Sequence, residues 1–121
     1  MIKLVFCVKR LPSLSREEFQ RYWREQHAPL VREAAAALGV RRYVQVHTLT
    51  SPVNDGLRRG RASPEEYDGV AELWFDSLES LAAAGATPEG RAAGRRLLED
   101  ERRFIDHARS PVWAAEEHPV V

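Results

Sequence analysis

One cysteine, Cys7, in 121 residues leaves this chain without an internal disulfide and without the cysteine cluster of a structural zinc site. Neither sign of charge is in excess: 18 Lys and Arg stand against 18 Asp and Glu. That balance removes the electrostatic case for nucleic acid or an acidic membrane surface as partner, and near-neutral surfaces tend to self-associate. Long apolar runs are missing too, and no basic segment followed by an apolar one opens the chain. The expectation is a cytoplasmic protein with no membrane contact. There is no phosphate-cradling glycine loop, no nucleophile elbow and no dinucleotide fingerprint. What is present is an ordinary globular mixture, enough for one domain over residues 1–121 and too short for two.

Periodicity divides that domain. "IKLVFCVKR" reads as a strand. "LPSLS" is turn chemistry, and Ser15 with Glu18 three residues on is a capping-box signature for a helix start. Phe19, Tyr22, Trp23, Gln26, His27, Leu30, Val31, Ala34 and Leu38 then recur at steps that match one helix face, and Gly39 supplies a stop. "RRYVQVHTL" is a second strand and "YDGVAELWFD" a third, separated by a Pro-, Gly- and Ser-rich stretch, residues 50–67, read as a long loop. Asp76 with Glu79 suggests a cap for a short helix. Thr87-Pro88 restarts a longer one that carries Ala93, Leu97, Phe104, Ile105 and Ala108 inward. "VWAAEEHPVV" closes the chain as a strand.

The order β-α-β-β-α-β is the split arrangement of a ferredoxin-like α+β sandwich. Two helices cover one sheet face, and the chain has nothing left for the other. A second copy is the simplest cover, which predicts a homodimer joined sheet to sheet as an α/β barrel. Strands two and three offer Tyr43, Gln45, His47, Glu72 and Trp74, read here as one polar and aromatic set facing away from the helices. Such a set suits a pocket for a small apolar or aromatic ligand, with a polar seam between subunits as the alternative.

His27 lies on an apolar helix face two residues before Pro29, which lacks a backbone donor and clashes with the carbonyl of Glu25. The helix is expected to kink or restart there, with Pro29 opening the second segment. His27 is then either a core histidine tied to a backbone group or a proton-transfer group at a pocket rim. A metal site of His27, His47 and Glu72 has no supporting local spacing, so no metal and no cofactor is expected. Cys7, mid-strand, reads as a small hydrophobe, and "LRRGR" in the long loop as a solvated basic spot.

Five segments, "KRLPSLSREEFQRYWREQHAPLV", "YVQVH", "YDGVAELWFDSLESL", "DERRFID" and "EEHPVV", resemble the EthD family of the dimeric α/β-barrel superfamily, in order and over almost the whole chain. The resemblance implies a ferredoxin-like subunit that dimerises through its sheet. His27 and Pro29 match the family's H-x-P pattern. Tyr43 resembles a functionally important tyrosine of similar isomerases, and His47 is the candidate for their second histidine. The reading is a cofactor-independent dehydratase or isomerase acting by proton transfer on a small aromatic, lactone or polyketide-like molecule. His27, Tyr43 and His47 would be catalytic, with Trp23, Gln45, Tyr67, Glu72 and Trp74 around the substrate. The alternatives are a non-catalytic binding protein for an apolar metabolite and a cofactor-free or haem-using monooxygenase of the same superfamily.

Overall fold

The computed structural model describes all 121 residues. Four strands, β1 (Ile2–Val8), β2 (Arg42–His47), β3 (Gly69–Phe75) and β4 (Val112–Glu116), form one sheet in the order β2-β3-β1-β4. Every neighbouring pair is antiparallel. This is the ferredoxin-like sandwich expected from the order of elements. The helices are α1 (Arg16–Tyr22), α2 (Ala28–Leu38), α3 (Pro52–Arg61), α4 (Leu78–Ala83) and α5 (Pro88–Glu101). None is long and apolar enough to cross a membrane.

Helix α1 starts as its sequence dictates. The Ser15 hydroxyl accepts from the Glu18 amide, and the Glu18 carboxylate accepts from the Ser15 amide, so two orphan donors are satisfied reciprocally. Between α1 and α2 the backbone makes a π-turn over Trp23–His27, where the amide of Ala28 reaches back five residues to the Trp23 carbonyl. Pro29 then lies in the first turn of α2, where a missing donor costs nothing. The break foreseen at Pro29 is this π-turn. Gly39 ends α2 at φ 74°, the left-handed conformation that glycine adopts without penalty.

Four features differ from expectation. Residues 52–61 are helical: Ser51 caps the segment and Pro52 opens it, a start signal that the glycines and arginines around it obscure. The cap of α4 is Ser77, accepting from the Ser80 amide, rather than Asp76. Helix α5 ends at Glu101, and β4 stops at Glu116 rather than running to the end of the chain. Phe104 and Ile105 are buried from the turn that follows α5.

The core lies between the helices and one sheet face. Phe19, Trp23, Val8, Ala71, Phe104 and Ile105 form its main cluster, and Val31, Ala34 and Leu97 join α2 to α5. Gly69 is required by close approach: a β-carbon there would lie 2.5 Å from the Trp23 ring and 2.7 Å from the Val46 carbonyl. Asp68, with no exposed side-chain surface, ties the ends of three elements together. It accepts from the Arg10 amide at 2.8 Å, from the Arg10 guanidinium at 2.5 Å and from Arg16 Nε at 3.0 Å.

Candidate functional site

Strand register decides which residues share a face, because directly opposed residues point the same way. Tyr43 faces Leu73 and Gln45 faces Ala71, so these side chains belong with Phe6 and Val8, toward the helices. Val44 faces Glu72, and Arg42 faces Trp74, on the opposite side. The single set of Tyr43, Gln45, His47, Glu72 and Trp74 expected from alternation is therefore split. Alternation sorts each strand into two sets but does not match the sets between strands; the antiparallel register does.

The helix-side group is a connected array. Gln45 Nε2 donates to the Trp23 carbonyl and to the Tyr43 hydroxyl, each at 2.9 Å. Because a backbone carbonyl only accepts, the orientation of the amide is fixed, and its oxygen must face His47 Nε2, 2.8 Å away. His47 Nε2 thus carries the proton, and in the neutral ring Nδ1 holds the lone pair, with no hydrogen-bond partner in the chain. The ring stacks on Trp23 with centroids 4.6 Å apart. Burial first, and the nearby Arg24 guanidinium second, hold the His47 imidazole below its ordinary range. Burial pushes the Tyr43 phenol up to about 12, against hydrogen bonds from Gln45 and Trp23 that pull it down.

His27 anchors the second group. It is buried at the end of the π-turn, and its Nδ1 lies 2.8 Å from Asp100 Oδ2. The other Asp100 oxygen accepts from the Tyr22 hydroxyl at 2.6 Å. Phe104 packs against both rings, at 5.0 Å from each. With Nδ1–H directed at the carboxylate, the His27 lone pair is on Nε2, which has no partner in the chain and is not sealed from the surface. Burial and the Asp100 carboxylate push the Tyr22 phenol up. Asp100 escaped the reading of the sequence, although Ala93, Leu97 and Asp100 continue one inward stripe of α5. A carboxylate on an apolar stripe is the same kind of signal as His27 on its own helix.

The remaining candidates stand apart. Glu72 is on the open face in an ion pair with Lys3 at 2.9 Å. Trp74 lies beside it under Lys3 and Arg42, and its indole N–H donates to Glu117. Tyr67 is exposed just before β3, where its carbonyl accepts from the Thr48 hydroxyl. Cys7 shares the open face, and burial pushes its thiol up. Arg58 of the basic stretch is held by Glu66 at 2.8 Å and Asp55 at 3.0 Å. His107, which follows α5 rather than lying in it, pairs with Glu101 at 3.0 Å.

The chain matches the model of the EthD domain over residues 11–108. An ethyl tert-butyl ether D (EthD) family protein from Bacillus halodurans superposes with a TM-score of 0.64 at 24% identity, covering 98% of this chain and 99% of that one. A dimeric protein of unknown function and ferredoxin-like fold from Bacteroides fragilis gives 0.60 at 14% identity, with 96% and 95% covered. A putative antibiotic biosynthesis monooxygenase from Deinococcus radiodurans gives 0.54 at 12%, with 100% and 96% covered. At these identities the likeness to solved structures speaks for the fold. The domain match spans most of the sequence, and on that ground the chain belongs to the EthD family.

Proposed function

We propose that this protein is a cofactor-independent acid–base enzyme, of dehydratase or isomerase type, acting on a small aromatic, lactone or polyketide-like molecule. The observation that carries the reading is His27, with Nδ1 held by a buried carboxylate and Nε2 left without a partner. That is the arrangement by which a protein fixes the tautomer of a general base and stabilises the imidazolium formed when it accepts a proton. His27 would remove or return a proton at the substrate carbon or oxygen. His47, kept neutral by its surroundings, would be a second acceptor, and Tyr43, kept protonated, would polarise a carbonyl or hydroxyl through its O–H. Gln45 would hold those two in mutual register, and Trp23 would back them with an apolar wall. Dehydration and isomerisation need only such positioned proton transfers.

The open sheet face supports a second part of the reading, a homodimer joined through it. Val5, Val44, Val46, Val70 and Trp113 lie on that side by register, and Val46 and Trp113 are 44% and 47% exposed in the single chain. Solved neighbours from Bacteroides fragilis and Thermobifida fusca are described as dimeric. In such a dimer the histidines would face each subunit's own helices, and Glu72 and Trp74 would belong to the interface rather than to the substrate.

The test begins with native mass spectrometry of the purified protein, to capture a bound small molecule and count subunits. Turnover of the captured compound class is then compared for the parent protein, His27→Gln and His47→Gln, with folding checked by circular dichroism. A loss on the order of a hundred- to ten-thousand-fold for His27→Gln is expected. Full turnover in both variants would refute the assignment, and a ligand returned unchanged by the parent protein would make it a carrier.

A further inference from the structure

Beside His47, between the α1–π-turn segment and the end of β2, lies a cavity of about 450 Å³. Three arginines line it, Arg16, Arg21 and Arg24, with Glu17, His47 and Thr50, and no hydrophobic side chain does. Two of the three cations already have partners. Arg16 is held by Asp68 at 3.0 Å and Glu66 at 3.5 Å. Arg21 pairs with Glu17 at 3.3 Å. Arg24 pairs with no carboxylate, and it is the one cation whose field disfavours a proton on His47. The cavity therefore offers an anion one uncommitted guanidinium. Its histidine has Nε2 bound to Gln45, so the free nitrogen, Nδ1, accepts a hydrogen bond rather than giving one.

These two requirements define a ligand. A carboxylate satisfies Arg24 but would meet a lone pair at His47, so the group beside the carboxylate must be a donor. We propose that the cavity binds a small hydroxylated carboxylate, its anionic end on Arg24 and its hydroxyl donating to His47 Nδ1. A charge-assisted, planar recognition of this kind is what a guanidinium does best. Naming that ligand a substrate rests on the acid–base reading above; the binding site itself does not. If the reading holds, the substrate is a hydroxy acid whose hydroxyl is held at His47.

The test uses the full chain labelled with ¹⁵N at its histidines, His47 being assigned through His47→Gln. Three probes are titrated: 3-hydroxybenzoate, benzoate and 3-hydroxybenzamide. Hydroxybenzoate is expected to shift the His47 ring nitrogens saturably and to leave those of exposed His118 in place. Loss of the charge in the amide, or of the cation in Arg24→Gln, should each weaken binding about tenfold. Loss of the hydroxyl in benzoate should weaken it less and remove the shift at Nδ1. Arg96→Gln, outside the cavity and paired with Glu33 on the surface, should change affinity by less than about twofold. An unmoved His47, an amide that binds as well as the acid, or an Arg24→Gln variant with unchanged affinity would overturn the proposal. Inorganic phosphate displacing the acid at equal concentration would do the same by reassigning the site to phosphate. Binding without turnover removes the enzyme and keeps the site; turnover undisturbed by Arg24→Gln removes the site and keeps the enzyme.

Discussion

On the helix side of β2 the chain places Tyr43, Gln45 and His47, and on its open side Arg42, Val44 and Val46. An apolar-inside pattern would put them the other way round. Inside, the three polar groups are tolerable because they satisfy one another and the Trp23 carbonyl, and no buried side-chain polar atom in the chain lacks a partner. Outside, valines and tryptophans gather around a lone Lys3–Glu72 pair, a surface that gains free energy once something covers it. On the proposed reading, polarity in this sheet marks where chemistry is prepared, and apolarity marks where a second copy belongs.

The largest expected effect lies on the helix side. Trp23→Ala removes a fully buried ring that packs on Phe19, His47 and Gly69, and should cost about 3–5 kcal/mol in urea unfolding. A loss under about 1 kcal/mol would mean that the interior is not packed as described. Asp68 comes next. Burial alone would raise its carboxyl, but hydrogen bonds from the Arg10 amide, Arg16 and the Arg10 side chain outweigh that and hold it below the usual carboxylate range. A folded-state value below the unfolded one, about 3.9, means stability that is present above that pH and lost as pH falls through the folded-state value. Asp68→Asn should flatten that acid limb in denaturation curves taken from pH 6 downward, and an unchanged limb would assign it to other carboxylates.

Effects on the open side should be smaller and should read out in assembly. Val46→Lys is expected to change subunit stability by no more than about 0.5 kcal/mol. By size-exclusion chromatography and native mass spectrometry it should nevertheless convert dimer to monomer; an unaltered assembly would clear this face of the role. Glu72→Gln should cost less than about 1 kcal/mol if the Lys3 pair stays partly solvated. A cost of several kcal/mol would show the pair sealed under a partner.

Much of the fold was legible because its signals are local. The capping box at Ser15 and Glu18, the stop at Gly39 and the order of strands and helices need only neighbouring residues to be recognised. The site was legible in part. His27 declared itself as a polar ring on an apolar stripe, with Pro29 marking the break. Its partner Asp100 is 73 positions away, so no spacing could connect them. Tyr43, Gln45 and His47 were recognisable as a set, but their orientation depended on which residue of β3 stands opposite each one. Helix α3 was hidden for another reason: it buries none of its residues, so no apolar stripe marks it, only its cap.

The π-turn at Trp23–His27 acts as a phase correction. The residues buried along this segment, Phe19, Trp23, His27 and Val31, are four apart, and on a 3.6-residue helix each such step drifts about 40° around the axis. Over three steps the drift would reach about 120°, enough to swing Val31 away from the side that buries Phe19. One extra residue in the turn sets the following helix back by about 100° and brings the four into line. The histidine's address is thus an angle as well as a number. A relative one residue shorter here, running through as plain α-helix, would keep its histidine on the same side, because the lost residue and the lost wide turn cancel.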